Sequence, residues 1–476
     1  MSSSNRIKLE ITKAETFEGA AAHSPPTPLM ALRRAVLSCF LWEKQFYIDG
    51  DDIASVIATL IAKCKAEEVS ELAVEARSNF NLRHVPLLMA RVCAALKTHK
   101  YVVADMIDGI IQRADEITEF MTIYWSTTIE QTDNQDYTVT RHQIKRTPIS
   151  AQVKKGLKSA FKKFNEYGFA KYNKKGATVS LKDALVMIRP PAYKGTDRYK
   201  LYNKIFTDTL DIPMTWEVML SETGQGIKDE EAKKAAKAAV WRRLIEEDKL
   251  GGLAILRNLR NMLQADLVKS EIKAAIEQGN YNRVLPFRFL AAARQAPTLE
   301  DTIEPTFLRR LNNLPKLSGK TVLLCDISGS MFGVPVSAKS DMQRVDAGVA
   351  LAIIAREICE DVDIYSFSTQ VMQIKPRRGF ALADEIINSQ GHYNTYLHRA
   401  VAHVNNIGYD RLIVITDEQV SEAVPDPIAG SKAYVINVCS AQNGLSYSKW
   451  IKIDGFSEAV IAFISEYESG DYQELL

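Results

Sequence analysis

No stretch of this 476-residue chain approaches the roughly 18 or more consecutive apolar residues that a membrane-crossing helix needs. The polar start, Met-Ser-Ser-Ser-Asn-Arg, is followed by no apolar signal segment. Six cysteines (39, 64, 93, 325, 359 and 439) are scattered, with no C-x-x-C pair. That spacing argues against a zinc site or disulfide framework, and for buried thiols in a reducing compartment. The seven histidines do not gather with acids at metal-ligand spacing. The expected location is the cytoplasm, with no membrane partner. A further scarcity is local. From Arg141 to Lys204 only three acids (Glu166, Asp183, Asp197) face 17 Lys/Arg, a charge of +14. The whole chain carries only +2, so the remainder carries −12. Such polarity suggests one localised surface for a polyanion.

The length exceeds what one core usually supports, so two domains are expected. Residues 1–27 end in His-Ser-Pro-Pro-Thr-Pro and read as an irregular arm. From 28 to about 300 the pattern is mostly helical. Ile53, Val56, Ile57, Leu60 and Ile61 recur at i, i+3, i+4, i+7, i+8 after Asp51 and Asp52, the expected N-cap residues. Val103, Met106, Ile107, Ile110 and Ile111 repeat the spacing, and Val69, Leu72, Ala73 and Ala76 shorten it. Successive amphipathic helices suggest stacked pairs of the HEAT type, although no strict period is found. The helical domain is taken as 28–315. Beyond Asn312-Asn-Leu-Pro315, strand-length apolar runs alternate with helical patterns: Thr321–Cys325, Arg344–Ile358, Val362–Phe367, Arg411–Ile415, Ala433–Val438. This rhythm predicts a doubly wound, Rossmann-like, largely parallel α/β sheet over 316–476.

The first of these strands ends on Asp326-Ile-Ser328-Gly-Ser330. In open α/β sheets, ligands collect beyond the carboxyl ends of the strands. One carboxylate and two hydroxyls are hard donors suited to Mg²⁺. The alternative is a polar turn with no ion. Three ligands are too few for an ion that prefers six oxygens at about 2.1 Å. Thr395 and Asp417, each in a polar loop after a run of structure, are further candidates. Asp417 also reads as a turn residue or N-cap. The segment resembles a von Willebrand factor A domain with its metal-ion-dependent adhesion site. The resemblance implies that Asp326, Ser328, Ser330, Thr395 and Asp417 surround one divalent cation, expected to be Mg²⁺, which offers a position to a partner's carboxylate. The threonine loop departs from the family's frequent Gly-Gly-Thr-Asp, reading Tyr393-Asn-Thr395-Tyr396.

In the basic region, Val153, Leu157, Ala160, Phe161 and Phe164 share one helix face, and Lys154, Lys155, Lys158, Lys162 and Lys163 the other. Lys171, Lys174, Lys175, Lys182 and Arg189 follow. A lysine-rich helix face is often only solvated surface, but 64 residues with three acids favour phosphate binding. Lysines supply affinity and salt sensitivity rather than sequence choice. Tyr167, Phe169 and Tyr172 offer stacking faces or core packing. In Gly251–Asn261, Leu253, Leu256 and Leu259 are expected to pack while Arg257, Asn258, Arg260 and Asn261 project. Arg283 and Arg288 flank Val284-Leu-Pro-Phe287. Charges complementing helix ends account for such arginines without a ligand.

Together the two halves resemble the TROVE module of the Ro autoantigen family in its bacterial form, followed by an A domain. The resemblance is carried by Leu32–Glu43, Asn81–Pro86, Val153–Leu157 with Ala170-Lys-Tyr172, Leu253–Arg260 and Val284–Phe289. It implies a ring of helical repeats whose ends the A domain joins. Small Y-like RNAs would bind the basic outer face, and single-stranded 3′ ends of misfolded RNAs would enter the central hole. It also implies a role in RNA quality control, small-RNA stability and stress response, with an exoribonuclease such as polynucleotide phosphorylase as partner. Lys154 and Lys155 inherit the outer-face role by position. Lys158, Lys162, Lys171, Lys174 and Lys175 join them by proximity, and Arg257 and Asn258 through the Leu253–Arg260 match. Leu181 stands where animal relatives carry a histidine. The expected protein is not an enzyme, since no general base accompanies the metal candidates. The alternative is a metal-dependent protein-interaction scaffold with RNA binding minor.

Overall fold

The structure, a computed structural model, describes residues 27–37, 50–80, 82–132, 135–173, 176–212, 215–223, 225, 227–282, 284, 286–312, 314, 316–333, 342–417, 424–438, 450–454, 464, 465, 467 and 468. The arm over 1–26, the lysines at 174 and 175, and Arg283 lie outside this set.

Helices fill the first part of the chain, and many of them pack on neighbours one or two places along. Helix Ala66–Ser78 meets His84–Ala95 and Val103–Ile110; the latter meets Ala151–Lys162. The same stacking returns in Gly252–Gln264, Lys269–Gln278, Phe287–Gln295 and Glu300–Leu311. Apolar spacing dictates the buried faces. Val103, Met106, Ile107 and Ile110 are fully buried, as are Val69, Leu72, Ala73 and Ala76. Gly156 permits a close crossing: a Cβ there would come within 2.7 Å of the Ala104 carbonyl.

Two details depart from expectation. Helix Gly50–Lys63 begins at Gly50, so Asp51 and Asp52 lie in its first turn rather than at its cap. Within the helical part a hairpin also forms, β1 (Thr127–Gln131) antiparallel to β2 (Tyr137–Arg141). Its strands are rich in β-branched Thr, Ile and Val, and β2 is tied to helix Gly50–Lys63. The Tyr137 and Val139 amides donate to Thr59 and Ser55 hydroxyls at 2.8 and 2.9 Å.

Helix gives way to sheet between Leu311 and Leu317. The strands are β3 (Leu317–Asp326), β4 (Cys359–Phe367), β5 (Val371–Gln373), β6 (Arg411–Thr416), β7 (Lys432–Asn437) and β8 (Ile451–Asp454). Their order is β5-β4-β3-β6-β7-β8, parallel except for the edge pair β4–β5. The order reverses between β3 and β6, where the carboxyl ends of a doubly wound sheet open a crevice. Helix Arg344–Ile358 is buried along nearly its whole length beside β3.

The two parts are joined tightly. Arg294 pairs with Asp346 at 2.6 Å, and the Phe380 amide donates to Glu304 at 2.6 Å. The rings of Phe307 and Phe380 stack with centroids 6.2 Å apart. Gly379 has φ +56, and a Cβ there would strike the Glu304 carboxylate. At the far side, helix Pro28–Leu37 touches β8, so the first and last described elements meet.

Candidate functional sites

The oxygen cluster forms at the point of sheet reversal. Asp326 ends β3, and the chain turns at once because the Ser328 amide donates to Asp326 Oδ1 at 2.8 Å. The turn brings the Ser328 and Ser330 hydroxyls to 3.2 Å. Thr416, the last residue of β6, donates its hydroxyl to Asp326 Oδ2 at 2.6 Å. The loop bearing Thr395 is laid against this turn. The Gly329 amide donates to the Tyr393 carbonyl at 2.9 Å, and the Phe332 and His392 rings stack at 4.0 Å. Asp326, Ser328, Thr395 and Asp417 are all buried. Burial, and then the charge of Asp417, push the Asp326 carboxyl up to about 7. All five residues expected around an ion are thus brought to one end of the sheet.

A cation is already there. Arg344, at the start of its helix, donates Nη1 to Asp417 Oδ2 at 3.0 Å and also reaches the Ser330 carbonyl at 3.4 Å. Its side chain is 6% exposed and that of Asp417 is fully buried. The hydroxyls and carboxylate of Asp326, Ser328, Ser330 and Thr395 fit Mg²⁺ by donor chemistry. Asp417 is shared with the guanidinium, so an ion would compete for it. Sequence reading missed Arg344, although its place before an apolar helix and after the D-x-S-x-S loop was visible.

The basic face is built on helix Ala151–Lys162. Ser150 caps it by accepting from the Val153 amide, and Val153, Leu157, Ala160 and Phe161 are buried. That registers Lys155 and Lys162 outward, with Lys154 and Lys158 half-buried. None of these four has an ion-pair partner among the described residues. Lys163 differs: it pairs with Asp108 at 3.1 Å. Lys171 is exposed, 5.5 Å from the Tyr167 ring. Phe169 is core, packed on Phe161 and Phe164, and Tyr172 receives Arg113 over its ring at 4.4 Å. Only Tyr167 of the three aromatics is largely open to solvent.

Two expectations about the Gly251–Asn261 helix need correction. Asn258 does not project: it is 3% exposed, and its amide donates to the Ala254 carbonyl at 2.8 Å. A polar side chain inside a helix can bond back one turn instead of reaching out. Leu253 does not pack and is 39% exposed, because the buried stripe runs through Ile255, Leu256, Leu259 and Met262. Arg257 is exposed. Arg288 lies near it, its pKa lowered by burial and then by the Arg257 charge.

Comparison with known proteins adds two findings. Residues 208–314, which include Arg257 and Arg288, match the TROVE domain family. The fold is similar to the crystal structure of the Deinococcus radiodurans RO (RSR) protein. The two align with a TM-score of 0.61 at 16% identity, over 93% of this chain and 100% of that one. No curated protein matches the sequence.

Proposed function

We propose that this chain, whose residues 208–314 match the TROVE domain family and whose fold is similar to that of the RO (RSR) protein, binds RNA and does not cut it. The observation that carries the reading is the row Lys154, Lys155, Lys158 and Lys162, which makes no ion pair among the described residues. Unpaired cations in a segment of +14 attract phosphates and release their counterions. The helices are read as HEAT-like pairs bent into a ring and closed through a von Willebrand factor A-type sheet domain. Contact between helix Pro28–Leu37 and β8 supports that closure. Structured Y-like RNAs would lie on the outer lysine face. Single-stranded 3′ ends of misfolded RNAs would enter the opening, with Arg257 and Arg288 as anion contacts. The role would be RNA quality control, small-RNA stability and stress response in the cytoplasm, with an exoribonuclease as a downstream partner.

Ultraviolet crosslinking in cells tests the reading. RNA should be recovered at helix Ala151–Lys162, and the recovered sequences would separate a dedicated small RNA from mixed defective transcripts. Absence of RNA at those lysines would contradict it. Non-catalytic action has its own check. Purified protein incubated with RNA and Mg²⁺ should leave the RNA intact; cleavage that disappears in Asp326→Ala would overturn this part.

A second reading, metal-dependent capture of a protein, is favoured by the oxygen cluster. Asp326, Ser328, Ser330 and Thr395 would hold Mg²⁺, and Asp417 would support it. The ion would supply a Lewis-acid position for a partner's carboxylate. Asp326→Ala should then abolish partner capture without changing RNA affinity.

A further inference from the structure

Helices Leu181–Ile188 and Asp197–Thr207 leave a surface groove of 350 Å³ between them. Ser180 starts the first helix with a capping box to Asp183, and Arg189, left-handed at φ 51 before Pro190 and Pro191, ends it. Tyr199, Tyr202 and Phe206, spaced i, i+3, i+7, line one wall. Val186 and Arg189 line the other.

The apolar groups here stay in the open. Phe206 is 49% exposed, Val186 44% and Tyr199 42%, and Tyr193 on the connecting loop is 79% exposed. Scattered exposed apolar residues are ordinary, but a contiguous set marks an interaction surface. The Arg198 guanidinium lies over the Tyr202 ring, 5.8 Å from its centroid. It donates to the Phe164 and Lys162 carbonyls. The groove is ringed by positive charge. Lys182 Nζ stands 4.7 Å from the Phe206 ring, and the Arg189 guanidinium is exposed beside Val186. Of the acids on these two helices, Asp183 pairs with Arg146 at 3.3 Å and Asp197 with Lys200 at 3.0 Å. The exposed side chain of Asn203 adds an amide among the lining groups.

We propose that this groove is a stacking site for an unpaired base of bound RNA. Phe206 and Tyr199 offer the flat faces, and Lys182 and Arg189 take the phosphates on either side. An apolar peptide would use the rings and leave the cations without partners. A double helix would use the cations and leave the rings bare. Only a single strand presents base faces and phosphates together. The inference rests on the RNA-binding reading and extends it by assigning a single-stranded subsite beside the lysine face.

The test compares a hairpin RNA with the same hairpin carrying a single-stranded tail, on wild type and on Tyr199→Ala/Phe206→Ala. Both rings are exposed, so the variant should fold; Tyr199→Leu/Phe206→Leu, which keeps apolar bulk, is the companion. The tail should strengthen wild-type binding, and both variants should lose about tenfold per stacked base on the tailed RNA alone. A 2-aminopurine in the tail should be quenched by wild type and not by either variant. Equal tail enhancement in wild type and variants overturns the stacking site while leaving RNA binding intact. Failure of wild type to bind either RNA removes the RNA reading, and this inference with it.

Discussion

The guanidinium of Arg344 is a cation already delivered to the oxygen cluster, 3.0 Å from Asp417. It should weaken the site for a divalent ion by competing for one of its two carboxylates. Arg344→Met removes the competitor with similar bulk. Titrating Mg²⁺ while following thermal stability should show a larger metal-dependent rise in Tm for this variant than for wild type. An equal rise in both would contradict competition. At this scale the sequence offers Asp326, Ser328 and Ser330 as candidates because they follow the apolar run Thr321–Cys325, whereas Asp417 and Thr395 join them through the resemblance. Arg344 was not legible as a site residue. Its approach depends on how the helix is packed against β3, which no local pattern records. Asn258 failed for a related reason: helical periodicity gives a direction, but back-bonding to Ala254 turns the amide inward.

Among the elements, helix Ala114–Ser126 depends on a buried charge network at its start. Glu116 accepts from the Gln112 and Arg113 amides at 2.7 and 2.9 Å, and from Arg77 at 2.7 Å. Both Arg77 and Glu116 are almost wholly buried. Removing one partner weakens the compensation of a buried charge, and breaking such pairs costs about 3–5 kcal/mol. Glu116→Ala should therefore lower the urea midpoint sharply, whereas Glu231→Ala, in an exposed pair with Lys234, should barely move it. Similar midpoints would show that the network contributes little. Helices with clean 3.6-residue spacing, such as Val103–Ile110, and the strand Thr321–Cys325 within β3 could be read from periodicity. The β1–β2 hairpin could not be read so easily, since it is short, polar on one side and set among helices. Its Thr, Ile and Val content was the available signal.

For the whole molecule, the contacts that matter lie where helices meet sheet. Gly379 adopts a left-handed backbone that only glycine takes at little cost, and it lets Glu304 cap the Phe380 amide. Gly379→Ala should strain this joint. Calorimetry should then separate the unfolding of helices and sheet; one uniformly shifted transition would contradict the joint's role. Segregation of charge was the molecular feature most visible in the sequence, since +14 over 64 residues needs no fold to be counted. Which lysines lack partners did need the fold, as the pairing of Lys163 with Asp108 shows.

The central claim is that unpaired lysines hold RNA through its phosphates. Its most direct measurement is the slope of log affinity against log salt for a structured RNA, with wild type and Lys154→Ala/Lys155→Ala/Lys158→Ala. Each lost phosphate contact should reduce the slope by about 0.9, so the triple variant should be shallower by about 2 to 3 and bind more weakly at low salt. Identical slopes and affinities for the two proteins would contradict the account.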